Sequence, residues 1–248
     1  MKILILSDLH ANLEALEAIR EPRDELWVLG DLVNYGPDPC AVVDFVRQNA
    51  SLVVSGNHDH AVGYGEDPRC SPAFREMARA MQAYTESVLS QEQLAYLRSL
   101  PLTARRAAGG REFFLCHATP GDPLYEYLPA EPAAWRSAAS AAAADVLLVG
   151  HTHLPFELEI DGRRVINPGS VGQPKHGRPE ACYAVWEDGV VRLARVAWPV
   201  ERTVAKIQAL PIPPAIRDSL TSCRRAGTRK HENGQDSVGW WGRLQRKG

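Results

Sequence analysis

The chain of 248 residues contains no run approaching the roughly 18 apolar residues that a membrane-spanning helix requires. Its opening, Met1-Lys2-Ile3-Leu4-Ile5-Leu6-Ser7-Asp8, is too short and too soon acidic to read as a signal peptide. The five cysteines, Cys40, Cys70, Cys116, Cys182 and Cys223, are odd in number, scattered and without a CxxC pair. That argues against a disulfide framework and a thiolate zinc site, and a reducing cytoplasm is the expected location. A large excess of charge of either sign is also missing. The net charge of −2 gives no pull toward nucleic acid or an anionic membrane. Neither an internal repeat nor an obvious linker interrupts residues 1–200.

What is present is an ordinary globular composition, 45% hydrophobic and 23% charged, long enough for a sizeable core. The charge is unevenly placed. Arg224 to Gly248 carries seven Lys/Arg against two acids, a local +5 that leaves −7 on residues 1–223. The expected organisation is therefore one domain, 1–223, with a basic, flexible tail, 224–248. Trp240-Trp241 within the tail leaves room for a partner-binding arm.

Short apolar runs alternate with helical stretches, which predicts an α/β layered fold. Ile3–Leu6, Leu26–Leu29, Leu52–Val54, Phe113–Leu115 and Val146–Val149 do not alternate with polar residues, as strands buried on both faces should not. Asn12 is placed to cap a helix over Leu13–Arg20, and Asp38-Pro39 opens another to about Gln48. Ser71-Pro72 opens one to about Val88, and Ser90 with Gln93 forms a capping-box pattern. Ala133–Ala144 reads as an exposed helix. Asp161-Gly162 and Asp188-Gly189 each sit between apolar runs and predict two hairpins, Phe156–Ile166 and Tyr183–Val196. This antiparallel third suggests a second sheet packed on the first.

Chemistry gathers after the five buried runs. The first is followed by Asp8 and His10, the second by Asp31, the third by Asn57 and His58. The fourth leads to His117 and the fifth to His151 and His153. Five of the chain's eight histidines fall at these strand ends, where α/β sheets bind ligands. Carboxylate, imidazole and amide suit Mn²⁺, Fe, Zn²⁺ or Ni²⁺ better than the all-oxygen preference of Ca²⁺ and Mg²⁺. Seven candidate ligands exceed what one ion takes and suit two ions sharing a bridge.

Asp8-x-His10, Gly30-Asp31, Gly56-Asn57-His58-Asp59, His117 and Gly150-His151-x-His153 together resemble the calcineurin-like metallophosphoesterase superfamily. The resemblance spans about residues 1–200. The segments Ser7–Leu16 and Asn167–Pro174 look like its small bacterial phosphodiesterase branch. It implies an α/β fold, a four-layer α/β/β/α sandwich with two mixed sheets, and a metal site at the C-terminal ends of the strands. It also implies two divalent metal ions, manganese by preference, with iron, zinc or nickel as alternatives. By position, Asp8, His10 and His153 would hold the first ion and Asn57, His117 and His151 the second. Asp31 would bridge both, and a hydroxide between the ions would be the nucleophile. Asn57 and His58 are the residues expected to serve catalysis, His58 beside the leaving-group oxygen as general acid.

Departures from the wider family bear on substrate. Where phosphoprotein phosphatases carry GDxVDRG, this chain reads Gly30-Asp31-Leu32-Val33-Asn34-Tyr35-Gly36. Tyr35 replaces the clamping Arg and Asn34 the acid that would orient the catalytic His. Losing the guanidinium removes bidentate recognition of a dianion, which favours monoanionic diesters over monoesters. Arg69 and Arg178 could supply the clamp instead, and Lys175 or His176 could touch substrate. Residues 63–100 are expected to shape the substrate entrance. The expected partner is a small phosphoester, with no membrane. A nuclease would use the basic tail as its electrostatic footprint, and residues 1–223 carry no basic stripe to support it. A non-catalytic scaffold, like the retromer subunit that resembles phosphodiesterases, would be expected to lose His58 or a ligand, and none is lost.

Overall fold

In the computed structural model, which describes residues 1–70 and 74–227, alternate side chains of β1 (Lys2–Leu6) enter two different cores. Ile3 and Ile5 meet Trp27, Phe113, Leu115 and Trp186; Leu4 and Leu6 meet Leu16, Val42 and Val46 on the other side. A strand buried on both faces must be apolar at every position, which is why its run shows no alternation.

Two five-stranded mixed sheets follow from this. The first has the order β10-β9-β1-β2-β3, with β2 (Glu25–Val28), β3 (Leu52–Val53), β9 (Glu180–Glu187) and β10 (Val190–Ala197). The second has the order β4-β5-β6-β8-β7, with β4 (Thr103–Ala108), β5 (Arg111–Cys116), β6 (Val146–Leu148), β7 (Phe156–Ile160) and β8 (Arg163–Asn167). The sheets meet through Trp27, Phe113 and Trp186, whose rings pack edge to face at 5.1 and 5.0 Å. Helices α1 (Leu13–Ala18), α2 (Pro39–Asn49), α3 (Asn57–Tyr64) and α5 (Gln91–Ser99) contribute buried residues to the core outside the first sheet. Helix α6 (Pro132–Ala142) covers the second. The result is the α/β/β/α sandwich.

The sequence placed most elements and misplaced their partners. The five buried runs are divided between the sheets: β1, β2 and β3 are in one, β5 and β6 in the other. The two C-terminal hairpins do not form a sheet of their own. The β7–β8 hairpin joins the second sheet through β8 parallel to β6, and β9–β10 joins the first through β9 antiparallel to β1. A turn signal specifies pairing within a hairpin and says nothing about which edge the hairpin joins. Burial on both faces is what marks β9 as an interior strand.

Local signals fared better. Asn12 Oδ1 accepts from Ala15 N, although α1 ends at Ala18 rather than Arg20. The Ser90–Gln93 capping box forms reciprocally at 3.1 and 3.2 Å. Ser71–Ala73 lie outside the described residues, and the helix expected from there is α4 (Arg75–Val88). Helix α6 is less exposed than its alanines suggested, because Trp135, Ala139 and Ala142 are buried against the second sheet.

After β10 the chain adds α7 (Val200–Gln208) and α8 (Pro214–Ala226), which pack with α4 around Tyr35. The boundary drawn at residue 223 falls inside α8. Arg224 is 1% exposed and donates to Gly172 O at 2.6 Å. The rest of the expected tail, 228–248 with Trp240-Trp241, lies outside the described residues.

Phe113→Ala removes the ring that joins the two tryptophans and should destabilise the fold by about 3–5 kcal/mol. Urea unfolding checks this; a loss under about 1 kcal/mol would mean the sheets are held together elsewhere.

Candidate metal centre

Loops after β1, β2, β5 and β6 and the start of α3 converge where the two sheets abut. The backbone there is strained. Asp8, His10, Asp31, His151 and His153 all have positive φ, between 43° and 65°. Such conformations cost on the order of 1–3 kcal/mol each and persist only where the surroundings impose them. Those surroundings are a lattice of cross-loop bonds: His10 N to Asp31 O, Gly150 N to His117 O and Gly172 N to Asp8 O, at 2.7–2.9 Å. Two glycines make room for the carboxylates. A Cβ on Gly56 would lie 2.1 Å from Asp31 Oδ1, and one on Gly150 would lie 2.0 Å from Ser7 Oγ.

The tautomers are set by carbonyl acceptors. His10 Nδ1 faces Val33 O at 3.1 Å, His117 Nδ1 faces Leu29 O at 2.7 Å and His153 Nδ1 faces Gln173 O at 2.6 Å. A carbonyl only accepts, so each Nδ1 carries the proton and each Nε2 presents its lone pair to the site. Such second-layer bonds are what orient ligating histidines.

The lone pairs converge in two groups that share Asp31. Asp8, His10, Asp31 and His153 offer ligand atoms all within 4.8 Å of one another. His10 Nε2 and His153 Nε2 are only 3.1 Å apart, a separation no hydrogen bond explains when neither holds a proton. On the other side, His117 Nε2 lies 3.2 Å from Asn57 Oδ1 and 3.2 Å from His151 Nδ1. Asn57 Nδ2 donates to Pro68 O, which turns its oxygen toward the cluster. Asp31 Oδ2 stands between, 3.6 Å from His10 Nε2 and 3.4 Å from His117 Nε2. Its Oδ1 accepts from His58 N. Asp8 Oδ2 is occupied by Ser7 Oγ and His151 N, while Asp8 Oδ1 is buried with no hydrogen-bond partner. His151 Nε2 is likewise buried and unpartnered. The donor set fits divalent cations, and it is hard to account for without them.

Electrostatics say the same. Burial pushes the Asp8 carboxyl up to about 6, with His117 opposing and Asp31 reinforcing. Burial holds His10, His151 and His153 well below the usual imidazole range, in the neutral form a metal requires. His117 moves the other way. Burial disfavours its charge, yet Asp31 and Asp8 outweigh that and raise it to about 9. Without an ion, a proton on His117 is the cation that keeps the two carboxylates together.

His58 lies beside the cluster without joining it. Asn34 Nδ2 donates to its Nδ1 at 2.9 Å, and its Nε2 faces Cys70 Sγ at 3.6 Å. Tyr35 closes the far side, edge-on to His10 and His58 at 5.0 and 4.8 Å. Its hydroxyl meets Cys70 Sγ at 3.2 Å. All eight singled-out residues, Asp8, His10, Asp31, Asn57, His58, His117, His151 and His153, are thus brought together. Cys116, its thiol raised by burial, sits in the core under α6. The supporting residues were harder to foresee. Ser7 orients Asp8, and Asp59 holds Leu32 N and Gly56 N at 2.8 and 3.0 Å. Asn167 ties Gly150 O and Thr152 Oγ1, and Ser170 ties Asp8 O. Ser7, Asp59, Asn167 and Ser170 lie inside the segments that carry the family resemblance, which was the available signal.

Comparison with known proteins gives the chain its relatives. The family model described as the calcineurin-like phosphoesterase superfamily domain matches residues 1–188. An uncharacterized protein of Methanocaldococcus jannaschii is 31% identical over 241 residues, 88% of this chain and 96% of that one. The phosphodiesterase YfcE of Escherichia coli is 28% identical over 77% of this chain and 90% of its own. A crystal structure of a metallophosphoesterase from Sphaerobacter thermophilus, 34% identical, superposes with a TM-score of 0.78, covering 92% of this chain and all of that one. Among the described residues, no helix is long and apolar enough to cross a membrane.

Ser7→Ala removes one of the two donors to Asp8 Oδ2, leaving His151 N, and keeps every candidate ligand in place. Metal affinity should fall about 10- to 100-fold. Calorimetric titration of metal-stripped protein measures it, and wild-type affinity in the variant would remove Ser7 from the site.

Proposed function

The chain belongs to the calcineurin-like phosphoesterase superfamily and is a metal-dependent phosphoester hydrolase, and from that premise we propose that it is a dinuclear phosphodiesterase. The observation that carries the reading is Asp31 Oδ2, buried within 3.6 Å of one imidazole group and 3.4 Å of the other. In this reading Asp8, His10 and His153 would hold one ion and Asn57, His117 and His151 a second, with Asp31 placed to serve both. Two bound cations would supply Lewis-acid charge against the phosphoryl oxygens and activate a water for attack, by the hydroxide route implied for the family. The mixed oxygen and nitrogen set suits manganese, iron, zinc or nickel, and manganese is preferred here on the family resemblance alone.

The remaining work falls to the chain's own side chains. His58 is placed to donate from Nε2 to the leaving-group oxygen. Burial pushes it down to about 4, so it is neutral until an anionic phosphoester arrives and raises it. Asn34 steers the ring as a neutral partner, where a carboxylate would also have added charge. Tyr35, with no cationic fork, offers a dianionic monoester no bidentate grip, and this favours diesters. All five cysteines are free thiols, which supports a reducing, cytoplasmic setting. Neither a nucleic acid nor a membrane is needed as partner; the substrate in this reading is a small phosphoester.

The test is hydrolysis of bis(4-nitrophenyl) phosphate and of 4-nitrophenyl phosphate by metal-stripped protein titrated with Mn²⁺. Activity should appear near two ions per chain and favour the diester. No activity with two ions bound would contradict the reading and favour a scaffold. His58→Ala should keep both ions and lose about a hundredfold or more in kcat, most for poor leaving groups. Loss of metal in that variant would place His58 among the ligands instead.

A further inference from the structure

One side of the cluster is shut. Tyr35 is 4% exposed and packs into an apolar cluster with Met77, Met81, Ile207 and Leu220, drawn from α4, α7 and α8. Beside His151 the cluster carries Tyr127. Its ring lies 3.9 Å from that of His151, tilted by 34°, yet the residue is 61% exposed. An aromatic side chain laid on a metal-site imidazole with most of its surface in water is unusual, since large rings gain by burial.

Tyr127 is not there by accident of a loose loop. Ala118, next to His117, donates to Pro123 O at 2.8 Å. Asp122 Oδ1 accepts from Leu124 N and Tyr125 N, and Thr119 Oγ1 bonds Glu126 Oε2 at 2.5 Å. These bonds tie the segment before Tyr127 to the strand end that delivers His117. Two residues earlier, the Arg69 guanidinium stands 4.4 Å over the Tyr125 ring. Arg69 itself follows Pro68, whose carbonyl holds Asn57. The Lys175 ammonium bears electrostatically on Asp8, His58, His151 and His153. The mouth of the site therefore combines positive charge with an exposed π face.

Resting on the phosphoesterase reading, we propose that Tyr127 is the stacking platform for a planar base and that the substrates are nucleoside phosphoesters. A phosphoryl group at the cluster places its ester substituent within reach of the ring beside His151. An alkyl or glycerol substituent gains little from such a face, while every nucleobase has a π face to lay on it. Arg69 and Lys175 match the anionic remainder of a nucleotide. Stacking is tolerant of base identity, so the platform selects the nucleotide class and leaves the base open.

The experiment compares adenosine 5′-phosphate with ethyl phosphate, which share the phosphate and differ in the planar group. Calorimetry on the manganese-loaded full-length protein gives a dissociation constant for each, in wild type, Tyr127→Ala and Tyr127→Phe. Wild type should favour the nucleotide by at least about fivefold. Tyr127→Ala should bring the ratio close to one, and Tyr127→Phe, which keeps the ring, should restore it. A wild-type ratio near one overturns the proposal. So does a Tyr127→Ala variant that weakens both ligands equally, because the ring would then only brace His151. Both compounds are also tested as competitive inhibitors of bis(4-nitrophenyl) phosphate hydrolysis. If the protein hydrolyses no diester at all, the hydrolase reading fails, and the calorimetric ratio still decides the platform.

Discussion

Asp8 and Asp31, both buried, face imidazole nitrogens across gaps of 3.2–3.6 Å, and without a metal the charge set most closely against them is the proton on His117. Carboxylates in low dielectric are costly unless a cation is near. The fold nevertheless spends strained backbone, close-packed glycines and a lattice of cross-loop bonds on holding them there. That combination makes sense as a preformed receptor for cations. The proton drawn onto His117, raised to about 9 by Asp31 and Asp8 against the effect of burial, marks where positive charge is wanted.

The architecture serves this requirement. The candidate ligands come from five strand ends, three on the first sheet and two on the second, so stacking the sheets is what brings them together. Phe113 and the two tryptophans that join the sheets are thus part of the site's foundation, though distant from its chemistry. The segment beyond the matched domain contributes as well. Helices α7 and α8 bury Tyr35, and Arg224 reaches Gly172 beside the carbonyl of Gln173 that orients His153. A clamping Arg at position 35 would sit badly in that apolar cluster; a tyrosine can serve as its anchor.

How much of this could be read from the sequence depended on the range of the signal. Motif residues were legible because each follows an apolar run directly, so strand and ligand are neighbours in the chain. Caps and hairpins were legible for the same reason, as with Asn12, Ser90 and Asp161-Gly162. Sheet membership was not, since it depends on contacts between residues more than a hundred apart, such as Ile5 with Ala184. The edge strand β4, with Arg105 and Arg106 exposed, lacks the apolar run that marked the others. Arg224 read as tail because its charge suggested solvent, whereas its guanidinium is buried and bonded to Gly172 O. Tyr127 gave no sequence signal, because a lone aromatic acquires meaning only when its neighbour in space is His151.

The most direct test of the central claim is an anomalous difference map from crystals soaked in Mn²⁺. The account predicts two peaks about 3.5–4 Å apart, with the Asp31 carboxylate between them. A single peak, or two peaks with Asp31 bound to only one, would contradict it.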